Sequence, residues 1–207
     1  MHYINKTRFF ALFFTLILLF TFILSYAKTA GANISDAVVR LHIVANSNSN
    51  ADQQLKLQVR DRILSDATHI FKQSENPEQA LNLARANTDY IKSIAQEEIR
   101  RLGFDYDVSV NIGETNFPTK VYGNIALPQG RYNAVNIRIG DAKGENWWCV
   151  MYPPLCFTDG IVSASDDAKN RLKDSLSPSE YNLITKSSES VPVEIQFKLV
   201  EIFQKLF

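Results

Sequence analysis

The stretch Asp105-Tyr106-Asp107-Val108-Ser109-Val110-Asn111-Ile112 alternates polar and apolar residues at every step. A period of two puts Tyr106, Val108, Val110 and Ile112 on one face of a strand and the polar residues on the other. One face is therefore covered and one is wet, which is the signature of an antiparallel sheet. The pattern continues to Tyr152. Val121, Gly123, Ile125 and Leu127 form the next apolar row, and Val135, Ile137 and Ile139 face away from Asn136 and Arg138. Pro128-Gln129-Gly130 and Asp141-Ala142-Lys143-Gly144 read as hairpin punctuation.

Upstream, the period changes to that of helices. Leu55, Val59, Ile63, Ala67 and Ile70 recur every three or four positions, which predicts a helix over 51–73, with Asn50 and Gln53 as a capping box. A second helix is expected from Asn76, with Pro77 at its first position and Gln79 completing the cap. Ala80, Ala84, Ile91, Ala95, Ile99 and Leu102 give its inner face, and Gly103 ends it. Before both helices, Val39, Leu41 and Ile43 alternate with Arg40 and His42, so 38–46 reads as a first strand that stops at the Asn46–Asn50 turn cluster. The expected fold is α+β: an antiparallel sheet of about four to five strands, covered by a long helical hairpin and followed by C-terminal helices. Ser165 and Ser177-Pro178 mark two of those helices. Residues 192–206 carry an amphipathic stripe of Val193, Phe197, Val200 and Phe203, although 191–197 also fits a strand. Asn146 to Tyr152 is apolar on both faces, so that strand is either covered twice or presents an aromatic side chain outward.

The N-terminus has a different character. Lys6 and Arg8 precede the unbroken run Phe9–Leu24, and Ser25-Tyr26-Ala27 ends it with small residues where a signal peptidase reads them. Residues 1–27 are expected to be a secretory signal cleaved after Ala27, or an uncleaved anchor, and membrane contact is expected through this segment alone. Residues 28–207 then form a single domain outside the cytoplasm. The chain carries 22 basic and 22 acidic residues. Removing Lys6 and Arg8 leaves 20 against 22, a net charge of −2, which gives no footprint for nucleic acid.

The chemistry is sparse. His42 and His69 are the histidines beyond the signal, and neither H-E-x-x-H nor C-x-x-C is present, so neither a metal site nor a cofactor is expected. G-x-S-x-G, G-x-G-x-x-G and the P-loop are likewise missing. Cys149 or Cys156 with His42 is formally a Cys–His pair, but cysteines between Trp-Trp and Pro-Pro lack the positive neighbours that make thiolate. In an oxidising compartment the same two cysteines form a disulfide, or they pack as small apolar residues. Asp105 and Asp107 read as a solvated strand face. No catalytic residue is assigned.

The polar residues that remain carry a resemblance. Arg40-Leu41-His42-Ile43-Val44-Ala45-Asn46-Ser47, with Asp52-Gln53, Leu55-Lys56 and Val59-Arg60-Asp61, resembles the opening signature of the stage II sporulation protein R family. Phe117-Pro118-Thr119-Lys120-Val121-Tyr122-Gly123-Asn124 resembles its middle motif. Gly144-Glu145-Asn146-Trp147-Trp148-Cys149-Val150-Met151-Tyr152-Pro153-Pro154-Leu155-Cys156 is the most specific string. The resemblance covers about residues 36–160, and the turn here is Asn-Ser-Asn-Ser where the family has Asn-Ser-Asp-Ser. It implies a forespore protein exported into the space between the septal membranes. There it would trigger a membrane-embedded aspartic protease of the mother cell, which cuts the pro-sequence from a sigma factor. Contacts to that protease are expected from Arg40, His42, Asn46, Asp52, Gln53 and Arg60, with Trp147 or Trp148 as an aromatic anchor. An exported cell-wall or peptide hydrolase and a glycan-binding module are the competing readings.

Overall fold

The computed structural model describes residues 2–155 and 165–185. Twelve elements follow in order: α1 (His2–Asp36), β1 (Val39–Val44), α2 (Asn50–Lys72), α3 (Pro77–Ala86), α4 (Thr88–Arg101), β2 (Val108–Phe117), β3 (Lys120–Tyr122), β4 (Ile125–Leu127), β5 (Gly130–Ile139), β6 (Asn146–Tyr152), α5 (Asp166–Asp174) and α6 (Pro178–Thr185). The expected α+β class is observed. Four strands form one sheet in the order β2-β5-β1-β6, and β3 pairs with β4 in a separate ribbon.

One pairing departs from the expected antiparallel pattern. β2 with β5 and β1 with β6 are antiparallel, but β1 and β5 are parallel. The reason is insertion. β5 and β6 run in opposite directions, and β1 lies between them, so it must be parallel to one. Asp141–Gly144 is accordingly no hairpin turn; it bridges the end of β1, with Lys143 N–H donating to the Asn46 carbonyl and Gly144 N–H to that of Ala45.

The helical cover is also cut differently. The second helix breaks at Asn87, where the backbone leaves helical geometry. Asn87 Nδ2 donates to the Leu83 carbonyl and Thr88 Oγ1 to that of Arg85, so these side chains satisfy the last turn of α3 before α4 begins. Asn76 caps α3 through the Gln79 N–H as its sequence suggests. At α2 the cap is Ser49 rather than Asn50, with Ser49 Oγ accepting from Asp52 N–H. The apolar row at 121–127 is interrupted, because Gly123 (φ 61°) reverses the chain between β3 and β4.

Two cores result, one on each face of the sheet. Helices α2–α4 bury Leu55, Val59, Ile63, Ile91 and Ile99 against Leu41, Ile43, Val135 and Ile137. On the opposite face Ile34, Val38, Phe117, Ile125, Leu127, Tyr132, Val150, Leu172 and Ile184 form a second cluster. The expected single covered face is thus corrected: β6 is apolar on both sides because both sides are covered there. The expected helix at 192–206 lies outside the described residues.

α1 joins these layers. The apolar side chains of Phe9 to Ile23 are not covered by the rest of the described chain, whereas Ala30, Ile34, Ala37 and Val38 are buried. The last turns of α1 therefore belong to the second core, beyond any cleavage after Ala27. Ile34→Ala is expected to cost about 2–4 kcal/mol, as a buried isoleucine truncation does. Chemical denaturation of the chain lacking residues 1–27 measures it; an unchanged midpoint would detach α1 from the fold.

Candidate functional site

The signature residues separate into two groups with different roles. The first closes the turn between β1 and α2. Asp52, 3% exposed at the start of α2, accepts from Asn46 Nδ2 at 2.9 Å and Ser47 Oγ at 2.5 Å. Asn46 Oδ1 in turn accepts from Asp141 N–H, and Gln53 Nε2 donates to the Ser47 carbonyl. Lys56 Nζ donates to Gln53 Oε1 and to the Glu145 carbonyl. The turn packs so closely on the β5–β6 connection that a Cβ at Gly140 would strike the Asn46 side chain, and one at Gly144 the Ser47 carbonyl. Gly140 also takes φ 54°, which a glycine adopts at no steric cost.

Burial alone would raise the Asp52 carboxyl, but hydrogen bonds from Ser47, Asn46, Tyr106 and Ser49 outweigh it and leave Asp52 below the usual carboxylate range. A depressed folded-state value means stability that is present above the unfolded-state value and lost as pH falls through the folded one. Asp52→Ala strands the Asn46 amide and the Ser47 hydroxyl, an expected loss of about 2–4 kcal/mol at neutral pH. The loss should begin to shrink below pH ~4, where the unfolded-state carboxylate protonates, and vanish once the pH has fallen through the lower folded-state value. Urea titrations of both proteins across that range check it; a pH-independent difference would contradict the network.

Arg40 occupies the second core. It is 0% exposed, with its guanidinium carbon 4.0 Å from the Phe117 ring centre and 4.7 Å from that of Tyr132. Nη2 donates to Tyr122 Oη and Nε to the Cys149 carbonyl, while Nη1 has no hydrogen-bond partner among the described residues. Burial pulls the guanidinium below the ordinary arginine range, and Tyr122 and Tyr132 offset this in part. Tyr132 is pushed up to about 12, again chiefly by burial. The cage stabilises a desolvated cation through ring faces instead of a carboxylate.

The second group lies on the same sheet face where the second core stops. His42 stacks on Trp148 with ring centres 4.0 Å apart and planes 6° from parallel, and Phe117 meets Trp148 edge-on. His42 Nε2 is 2.7 Å from Asn146 Oδ1 and Nδ1 is 3.3 Å from Asn136 Oδ1. Asn136 is fixed in turn, accepting from Thr115 Oγ1 and donating to the Ala134 carbonyl. Burial lowers His42 below the usual histidine range, opposed by the Asn146 and Asn136 bonds. In register, Asn111, Asn136, His42 and Trp148 form one row across all four strands, and Ser109 and Arg138 lie exposed beside it.

The expected contact residues are therefore split. Arg40 and Asp52 are interior, and Asn46 and Gln53 are engaged in the turn. Arg60 is 7% exposed, ion-paired with Asp61, and its guanidinium sits 4.2 Å from the Trp147 ring centre on the helical side. His42 and Trp148 remain half-exposed on the open face. Asn111, Asn136, Arg138 and Asn146 join them; their alternation with Val135, Ile137 and Cys149 was the signal that placed them there. Cys149 is buried and disulfide-bonded, and its expected partner Cys156 lies outside the described residues. Among the described residues, no three His, Cys, Asp or Glu side chains converge as metal ligands.

The described residues form an α+β domain entered through an apolar helix of the kind that serves as a signal sequence or anchor, with amide, imidazole and indole groups aligned on one sheet face. Comparison with known proteins gives the family. Residues 35–162 match the stage II sporulation protein R family, and the chain belongs to it. The stage II sporulation protein R of Bacillus subtilis (strain 168) is 43% identical over 126 residues, which cover 61% of this chain and 56% of that protein. The matched region thus spans a little over half the length of the relative. No solved structure matches the chain.

Proposed function

We propose that the chain is an exported sporulation signal made in the forespore, which activates a membrane-embedded aspartic protease of the mother cell across the septum. The protease then cleaves the pro-sequence of a mother-cell sigma factor. Membership of a sporulation family and the apolar helix at 6–36, of the kind that serves as a signal sequence or anchor, support this reading. The observation that carries it is the row Asn111–Asn136–His42–Trp148: accessible to solvent, held at its centre by hydrogen bonds to His42 and Asn136, and covered by no other element among the described residues, it is suited to meeting the protease's external portion. Binding shifts the protease toward its active arrangement only through higher affinity for that arrangement.

Both competing readings lose support from geometry. Cys149 packs in the helical core while His42 faces the opposite side of the sheet, so the two cannot act as nucleophile and base. A glycan platform needs an exposed ring face. The face of Trp148 is under His42 and that of Trp147 is under Arg60.

Arg40→Ala would confuse contact with folding, because it empties the cage. His42→Ala combined with Arg138→Ala removes two groups from the open face. The double variant should reduce processing of the pro-sigma factor by about tenfold or more, equivalent to about 1.4 kcal/mol of binding. Its secretion and Tm should stay within about 4 °C of wild type. Unimpaired processing would remove this face from the contact.

A further inference from the structure

The sheet has two edges, and they are treated differently. At β6 the outward carbonyls are occupied: Trp148 accepts from Tyr122 Oη and Val150 from Leu155 N–H. At β2, Gly140 N–H donates to the Asp107 carbonyl, so odd-numbered residues of this strand point their backbone groups inward at β5. Even-numbered residues therefore point outward. Gln96 of α4 satisfies the first of these, accepting from Val108 N–H and donating to the Tyr106 carbonyl as a neighbouring strand would. Beyond it, no hydrogen bond among the described residues engages the outward groups of Val110, Ile112 or Glu114.

Natural sheets protect a long edge with proline, lysine, a bulge or a covering element. β2 has neither proline nor lysine, and its ten residues pair with β5 without a register shift. We infer that the edge of β2 from Val110 to Glu114, unpaired among the described residues, is a docking site, which takes an extended segment of another protein as a fifth strand. The site has two ends. Gln96 closes one, and at the other Glu114, Asn116 and Phe117 share a cleft with Ala27, Gly31 and Ser35 of α1. About five residues of strand, roughly 17 Å, are available between them.

The edge also states what it would accept. Val110 and Ile112 are partly exposed on the helical side and continue the first core, so the incoming strand carries apolar residues at alternate positions on that side. Lys92, one turn from Gln96 on α4, is exposed along the same row and favours a carboxylate nearby. A second copy fits poorly. Antiparallel self-pairing places the two α1 helices at opposite ends of the joined sheet, which a single bilayer does not allow while both helices are retained as anchors. Parallel pairing about a twofold axis sets Val110 and Ile112 of one copy beside the polar face of the other.

Proline scanning of the full chain in its sporulating host tests this, and its processing readout rests on the function proposed above. Val110→Pro and Glu114→Pro each delete one outward N–H and leave the β5 ladder intact, so Tm should move by no more than about 4 °C. Both should lower sigma-factor processing about tenfold or more, about 1.4 kcal/mol. Ser109→Pro deletes an inward N–H and should lower Tm by at least about 5 °C, marking the parity of the strand. A photo-crosslinking residue in place of Asn116 should give a conjugate with a different protein, lost on adding Val110→Pro. Normal processing in either folded proline variant overturns the inference, and so does a conjugate of twice the chain's own mass. The broader reading fails separately, if deleting the whole chain leaves processing unchanged.

Discussion

A buried arginine that meets no carboxylate among the described residues is the constraint around which the second core is arranged. Arg40 lies on β1, the strand inserted between β5 and β6, and its guanidinium is enclosed by Phe117, Tyr122 and Tyr132. A desolvated cation persists only where ring faces and hydrogen-bond acceptors replace water. Those groups arrive from three places: the end of β2, the β3–β4 ribbon and the start of β5. The cage thus lies inside the second core and joins the ribbon to the sheet there. Tyr132 also donates to the Pro128 carbonyl, which ties the ribbon to β5.

At the other end of β1 a different interaction does comparable work. The Asp52 carboxylate gathers Asn46, Ser47 and Tyr106 and closes the turn onto the β5–β6 connection. Between these fixed ends, His42 lies on the half of the face that no other element covers among the described residues. Arg40, Asn46, Asp52 and Gln53 are therefore engaged in holding the fold together. Under the proposed function, contact falls to His42 and the residues that the register places beside it.

Local physics made the helices and strands legible in the sequence. Asn76, Ser165 and Ser177 stand before their helices because their side chains accept from N–H groups that have no helical partner, and these caps are where expected. Asn50 was one residue off, since Ser49 makes the same bond from the preceding position. What depends on distant chain segments was not legible. Periodicity says that β1 has a covered face, not that it sits between β5 and β6 and must run parallel to one of them. Nor does an arginine in an alternating strand announce burial: the cage residues follow it by 77 to 92 positions. His42 and Trp148 were found from their residue types, but Asn111, Asn136 and Asn146 gained meaning only from cross-strand register.

Folding residues and contact residues can be distinguished directly by hydrogen–deuterium exchange of the full chain, alone and with the candidate protease in detergent. In the free protein the outward amides of Val110, Ile112 and Glu114 should exchange quickly, and those of residues 52–60 slowly, because the latter lie within α2. Adding the protease should slow exchange across β2 and around His42, with 52–60 unchanged. Protection confined to 46–60, with β2 still exchanging freely, would contradict the account, because it would make the buried signature network the contact surface.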